Sequence, residues 1–255
     1  MLSKNKQKFI LSLSRKKVRE QNEVFVAEGH KLVSDLLSAG CDVDTIIATD
    51  SWLNENKTLT NNCHEIIDSS TDELKKVSQL KSPPSVIAVF NQNKKPLNIE
   101  HLKTQLSIFL DEIQDPGNLG TIIRLADWFG IKNIICSKNC ADVYNAKTIQ
   151  STMGAISRVN VHYVDTLAFF QDFQNLKLPI YGTFLDGDNI YEESLTSNGL
   201  IVMGNEGKGI STEVERHISS RLLIPPYPDN ASTSESLNVS VATAIICAEF
   251  RRTKN

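Results

Sequence analysis

Apolar positions in the first ninety residues come in short bursts whose spacing keeps changing. Phe25-Val26-Ala27 is a brief apolar run of strand type. From His30 to Ala39, Leu32, Val33, Leu36 and Leu37 recur at helical spacing, and Gly40 ends the segment. Asp44–Ala48 predicts a buried strand around Ile46-Ile47, and His64–Asp68 predicts another. Thr71–Leu80 reads as a helix. Its Ser70/Thr71 start is followed by Asp72 and Glu73, which suits the positive end of a helix. Pro83-Pro84 separates that helix from a last strand, Val86–Phe90.

A polar stretch, Asn91 to Gln105, interrupts this pattern, and Lys94-Lys95-Pro96 lies inside it. It reads as a linker. The chain therefore divides into a first domain (1–92), a linker (93–105) and a second domain (106–255). Beyond the linker the apolar runs lengthen: Leu106–Leu110, Ile134–Cys136, Asn160–Val164, Pro179–Phe184, Leu200–Met203 and Leu222–Ile224. Helical patterns intervene, notably Leu119–Phe129 and Leu237–Phe250. Strand–helix alternation predicts an α/β fold with a mostly parallel sheet covered by helices on both faces.

The net charge of −3 argues at first against a nucleic-acid partner. Its distribution reverses that reading. Residues 1–31 hold eight basic residues (Lys4, Lys6, Lys8, Arg15, Lys16, Lys17, Arg19, Lys31) against Glu20, Glu23 and Glu28, a local charge of +5; the remainder carries −8. A basic arm on an acidic body is an electrostatic footprint for phosphate, and Lys16, Lys17 and Arg19 are its candidate RNA contacts. A solubilising charged helix or a transit peptide would also fit the composition. No apolar run has the length of a membrane span, and no secretory segment follows the start, so a cytoplasmic protein without a membrane partner is expected. The five cysteines are scattered and odd in number, which fits reduced thiols. Cys136 and Cys140 lack the spacing of a zinc or redox pair, so no metal site is expected.

Three stretches of the second domain each lie just past a strand, where open α/β sheets bind ligands. In Asp111-Glu112-Ile113-Gln114-Asp115-Pro116-Gly117-Asn118-Leu119-Gly120, Pro116-Gly117 suggests a turn and Asn118 a helix cap. In the helix that follows, Arg124 points away from the apolar stripe of Leu119, Ile122, Ile123, Ala126 and Phe129. It reads either as a surface arginine or as a fork aimed at phosphate. The second stretch, Leu200 to Ser211, runs a strand into Gly204-Asn205-Glu206-Gly207-Lys208-Gly209. This is neither a P-loop nor a dinucleotide fingerprint, and a tight turn explains it as well as a cofactor loop. The third, Ser236-Leu237-Asn238-Val239-Ser240-Val241-Ala242, opens the last helix, with Ser236 as the expected cap and an amide at an apolar helix start.

In this order and spacing, the three stretches resemble the motifs of the SpoU (TrmH-like) RNA 2′-O-ribose methyltransferases of the SPOUT superfamily. The resemblance is strong over about residues 106–250. It extends more weakly to the first domain through Phe25-Val26-Ala27-Glu28-Gly29, where it is to a substrate-binding domain with the small α/β fold of kink-turn-binding ribosomal proteins. It implies a C-terminal trefoil knot, a homodimer and S-adenosylmethionine as methyl donor, held at Met203, Gly204, Ile224 and Leu237. It also implies that Arg124, Asn118, Glu206, Ser236 and Asn238 form the catalytic set. The family's proposal casts the arginine, here Arg124, as the base. A guanidinium is a poor base, so Arg124 reads instead as binding the substrate phosphate and stabilising the developing alkoxide, with the proton acceptor left open. In the same set Glu206 and Asn118 order the loops and Arg124, and Ser236 and Asn238 fix the cofactor side. The implied substrate is a ribose 2′-hydroxyl of large-subunit ribosomal RNA. The alternatives are a tRNA ribose enzyme, a base-nitrogen methyltransferase of the same superfamily, or a non-catalytic RNA-binding protein that keeps the fold. One departure stands out: the segment between Ile224 and Leu237 is longer than the family's usual glycine-containing loop.

Overall fold

The computed structural model describes residues 2–228 and 236–252. The chain forms two compact units, one of residues up to Lys94 together with Asp142–Ser157, the other of Lys95–Ala141 and Arg158 onward.

The first unit runs α1 (Lys4–Ser12), α2 (Lys16–Asn22), β1 (Val24–Glu28), α3 (His30–Ser38), β2 (Val43–Ala48), α4 (Asp50–Glu55), β3 (Glu65–Asp68), α5 (Thr71–Val77) and β4 (Val86–Asn91). Its sheet has the order β1-β4-β2-β3, with β3 parallel to β2 and the other pairs antiparallel. All five residues of β1 are buried, because both faces of the sheet are covered. Phe25 and Ala27 face a cluster with Leu32, Val33 and Leu36 of α3. Val24 and Val26, one step out of phase, face Leu2, Ile10, Leu13 and Leu74. The expected basic arm is thus a pair of docked helices. The helix predicted over Thr71–Leu80 stops at Val77. Its start is a full capping box between Ser70 and Glu73, and the same carboxylate accepts the Leu2 N–H at 3.0 Å.

A later piece of chain completes this unit. Within Asp142–Ser157, α7 (Ala146–Thr152) lays Ile149 into the cluster around Phe25, and the Tyr144 ring stacks on Phe25 at 5.2 Å between centroids. The division at 93–105 read from sequence does not anticipate this excursion, since hydropathy registers burial but not which sheet a segment covers. Part of the expected linker is ordered too: a 3-10 helix, Ile99–Thr104, buries Leu102 in the second unit.

The second unit contains β5 (Leu106–Leu110), α6 (Pro116–Trp128), β6 (Asn133–Ser137), β7 (Asn160–Val164), α8 (Thr166–Gln174), β8 (Ile180–Asn189), β9 (Gly199–Met203), α9 (Thr212–Glu215), β10 (Ser220–Leu223) and α10 (Val239–Arg251). Its six strands are all parallel, in the order β10-β8-β9-β5-β6-β7. Side-chain alternation sorts the faces. Phe109, Ile135, Leu200 and Val202 pack on Phe169, Phe170 and Phe173 of α8. Tyr181 is in register with Ile201 on the opposite face, and its ring meets Phe250 of α10 at 4.9 Å. Helices therefore cover both faces, as the alternation predicts. Each fully buried phenylalanine contributes about 1.5–3 kcal/mol.

The two long helices of this unit, α6 and α10, lie side by side. Their N-termini are joined by Asn118 and Asn238, and near their C-termini Arg251 Nε donates to the Phe129 carbonyl at 2.9 Å. They run parallel, so the ends with positive partial charge sit together.

Candidate active site

The site is assembled at the carboxyl ends of β5 and β9, which are neighbours in the sheet. Asp111, just past β5, is buried and accepts the Ser211 N–H at 2.7 Å. Glu112 then adopts φ 56, a left-handed conformation rare outside glycine. Three bonds hold it there. Its N–H donates to Ser137 Oγ (2.9 Å), its carbonyl accepts from Asn205 Nδ2 (2.7 Å), and its carboxylate accepts from Asn139 Nδ2 (2.7 Å). The turn aims the following loop at α6. Asp115, not Asn118, caps that helix, accepting the Asn118 N–H at 2.9 Å, and Pro116 occupies its first position. Pro116-Gly117 is therefore helix rather than turn, and Asn118, one residue further in, has its amide free for other work.

Past β9 the chain folds back on itself. Asn205 and Gly209 exchange two backbone bonds of 2.9 Å, and Asn205 Oδ1 accepts from the N–H groups of Gly207 and Lys208 at 3.0 Å each. The tightness explains Gly204. A Cβ there would lie 2.3 Å from the Gly209 carbonyl carbon and 2.4 Å from the Ile210 nitrogen, so the glycine is required by its own hairpin before any ligand arrives. Asn205 and Glu112, absent from the residues singled out by sequence, lock the two loops together. Both lie inside the motif stretches, but the left-handed turn at Glu112 and its bond to Asn205 cannot be read from residue types.

Glu206 sits on this hairpin and faces the first loop. Its carboxylate accepts from Asn118 Nδ2 at 3.0 Å and, at 3.4 Å, from the N–H groups of Gln114 and Asp115. Asn118 Oδ1 in turn accepts from Asn238 Nδ2 at 3.0 Å. Asn238 Oδ1 accepts from the Ser240 N–H (2.9 Å) and Oγ (2.6 Å) and from the Val241 N–H (3.4 Å). Asn238 is thus the cap of α10, and Ser236, the expected cap, lies two residues before it. The polarity of this chain is dictated from both ends. The α10 N–H groups need an oxygen, the Glu206 carboxylate needs a donor, and only one orientation of each amide satisfies both.

Beside the relay lies an open cavity of about 580 Å³, within the range of small-ligand sites. Its walls include Met203, Gly204, Ile224, Ser236, Leu237, Val239 and Ala242, and Glu206 belongs to both cavity and relay. The walls combine apolar side chains, hairpin backbone and carboxylates, a donor set that fits a bulky cationic ligand with an aromatic group. Phe184 lies on the far wall beneath the Arg221 guanidinium, 3.5 Å from its ring centroid. Arg221 is held by Asp186 (2.5 Å) and Glu215 (2.6 Å), and it keeps the Asp186 carboxyl below its ordinary range. Residues 229–235, most of the long segment between Ile224 and Leu237, lie outside the described residues.

Residues 105–248 match the SpoU rRNA methylase family, and residues 4–88 match an MRM3-like substrate-binding domain. The chain belongs to the SpoU rRNA methylase family. The 23S rRNA (guanosine(2553)-2′-O)-methyltransferase RlmP of Bacillus subtilis is 30% identical over 242 residues, covering 94% of this chain and 93% of that protein. Among solved structures, a TrmH-family chain from Porphyromonas gingivalis superposes with TM-score 0.87 at 36% identity, covering 98% of each chain. An AdoMet-bound rRNA methyltransferase from Sinorhizobium meliloti superposes with TM-score 0.86 at 27% identity, covering 98% of this chain and 96% of that one.

The other residues singled out in the sequence divide by exposure. Arg124 is exposed on α6, with no hydrogen-bond or ion-pair partner among the described residues, so neither Glu206 nor Asn118 is bonded to it. Arg19 corrects the expectation of an RNA contact. It is 3% exposed, donates to the Leu13 and Ser14 carbonyls at 2.7 and 2.9 Å, and pairs with Asp142. The guanidinium stitches α2 to the Asp142–Ser157 excursion, and its one donor without a partner, Nε, is buried away from any external phosphate. Lys16 is exposed but lies 3.7 Å from Glu20, while Lys17 is exposed without an ion-pair partner among the described residues. Cys136 and Cys140 are buried, reduced and in contact; burial pushes the Cys136 thiol well up, while its hydrogen bond lowers that of Cys140. No cluster of metal-ligating residues occurs among the described residues.

Proposed function

We propose that this protein transfers a methyl group from S-adenosylmethionine to a ribose 2′-hydroxyl of large-subunit ribosomal RNA. The observation that carries this reading is the relay from Glu206 through Asn118 to Asn238, which ties the three motif stretches together at the rim of the cavity. When bound there, S-adenosylmethionine supplies an activated sulfonium methyl. Met203, Gly204, Ile224, Ser236 and Leu237 would hold it, with the Glu206 carboxylate offering complementary charge. The protein's own work is then positioning, which can supply much of the rate of such a transfer. Arg124 binds the substrate phosphate and stabilises negative charge developing on the ribose oxygen. Guanidinium remains protonated at any working pH, so it acts as a donor and not as a base. The first unit, residues up to Lys94 with Asp142–Ser157, serves as the substrate-binding domain.

A homodimer and a trefoil knot belong to the same reading. Leu237, just before α10, and Val241 and Ala248 on it are exposed, and Trp128 at the end of α6 is 83% exposed. An apolar surface of this kind suits a second copy of the chain. Ribosomal RNA as substrate implies work in the cytoplasm; no helix among the described residues is long and apolar enough to cross a membrane.

The test is methyl transfer to transcribed large-subunit ribosomal RNA, with the product mapped as ribose or base. Wild type should give 2′-O-methyl. Arg124→Ala should lower kcat by about a hundredfold or more, as loss of a charge-stabilising donor does elsewhere, with cofactor affinity and Tm unchanged because the Arg124 side chain is exposed and unpartnered among the described residues. A methylated base, or cofactor binding without transfer to any RNA, would overturn the reading.

A further inference from the structure

The eight cations of residues 1–31 are not equivalent once folded. Four meet a carboxylate. Lys6 turns inward to Glu65 (2.5 Å) and Thr45 (2.8 Å), Lys16 meets Glu20, Lys31 lies 3.5 Å from Asp35, and Arg19 is buried against Asp142. The other four, Lys4, Lys8, Arg15 and Lys17, are exposed and have no ion-pair partner among the described residues. Lys4, Lys8 and Leu11 share one face of α1 by the helical period. Leu11 is 48% exposed between these charges and Arg15, at the corner into α2. The opposite side of α1 is anchored by Ile10, with Leu2 and Leu13 flanking it, so the charged face is held and not trailing.

We infer that Lys4, Lys8, Leu11, Arg15 and Lys17 form the surface on which the first unit holds the phosphate backbone of the RNA substrate. This deepens the reading under Proposed function and rests on it for the identity of the polyanion. The long cationic stems follow the backbone while Leu11 packs against sugar or base. Lys16 and Arg19 contribute nothing to this contact.

Two triple variants of the full chain, equal in charge change, test this: Lys4→Ala/Lys8→Ala/Arg15→Ala, and Lys31→Ala/Lys94→Ala/Lys138→Ala, whose lysines are all exposed and ion-paired. Binding to transcribed large-subunit ribosomal RNA is measured against salt. Every phosphate that the protein no longer neutralises flattens the logarithmic slope, so the first triple should lose roughly two to three units and bind weakly at moderate salt. The second should keep the wild-type slope. Equal loss in both triples would overturn the surface in favour of a diffuse field, and no loss in either would overturn it outright. So would a first triple that releases phosphatidylserine vesicles while keeping its RNA affinity. The two readings fail separately. Wild type that methylates ribose, with an unaltered first triple, removes the surface alone. A flattened slope without methyl transfer by wild type removes the activity alone.

Discussion

In the second unit, Glu206, Asn118 and Asn238 stand 3.0 Å apart in a line where each amide has a single allowed orientation. In the first unit, Lys4, Lys8, Arg15 and Lys17 hold their charges on exposed stems, with no ion-pair partner among the described residues. The relay consists mainly of neutral groups whose value lies in direction. A reversed amide would set oxygen against oxygen. The cations have no direction to lose, and their effect is a sum. A site of the first kind is broken by one atom; a site of the second kind wears down charge by charge.

The largest effect that would break this contrast comes from a single-atom change. Asn118→Asp is nearly isosteric, yet it removes the donor to Glu206 and sets two carboxylates against each other. Loss of one well-placed polar interaction at a reacting centre lowers kcat by about a hundredfold in comparable cases, and a loss of that order is expected here. Asn118 is partly exposed, so Tm should change little, and a melt alongside the kinetics separates function from folding. Activity near wild type would show that the relay is incidental.

Arg19 is the place where the first unit behaves like the second, since its charge is used for direction and burial. Arg19→Met would leave Asp142 without its cation, at a cost of about 3–5 kcal/mol to the first unit, read as lowered Tm. The double variant with Asp142→Asn should recover much of that loss, because the new amide keeps the oxygen that accepts the Tyr144 N–H at 3.0 Å. RNA salt dependence should be unaltered in the folded double variant. If it flattens, Arg19 belongs with the phosphate-binding cations after all.

The same contrast explains what sequence can disclose. The strands of the second unit were legible because β5, β6 and β9 are buried on both faces and read as unbroken apolar runs. Exposure of Arg124 followed from the helical period alone. The cap of α5 at Ser70 was legible too, but the caps of α6 and α10 were not. Asp115 and Asn118, or Ser236 and Asn238, are all competent cap residues, and only the closing of the relay decides which amide is used. Charge was legible as a sum and illegible as a list. Nothing in Lys16-Lys17-Val18-Arg19 says that the arginine turns into the core, because its partner, Asp142, lies 123 residues away.

The smallest effect concerns a buried base in the second unit. His162 on β7 is 8% exposed, with Nε2 3.3 Å from Asn133 Oδ1. Desolvation lowers its pKa below the ordinary 6.5, against a weaker opposing hydrogen bond to the Lys95 backbone. The sign follows from proton counting. As pH falls through 6.5, the unfolded chain takes up a proton before the folded one does, so stability declines. The decline ends once pH is below the lowered folded value, where both states are protonated. Between pH 7.5 and 5, wild type should therefore lose slightly more thermal stability than His162→Gln, whose side chain does not titrate. Superimposable pH profiles of Tm would mean that His162 is as well solvated folded as unfolded. Such a result would place β7 among the solvated elements, where charge costs little, and not with the buried sheet whose polar groups must each be partnered.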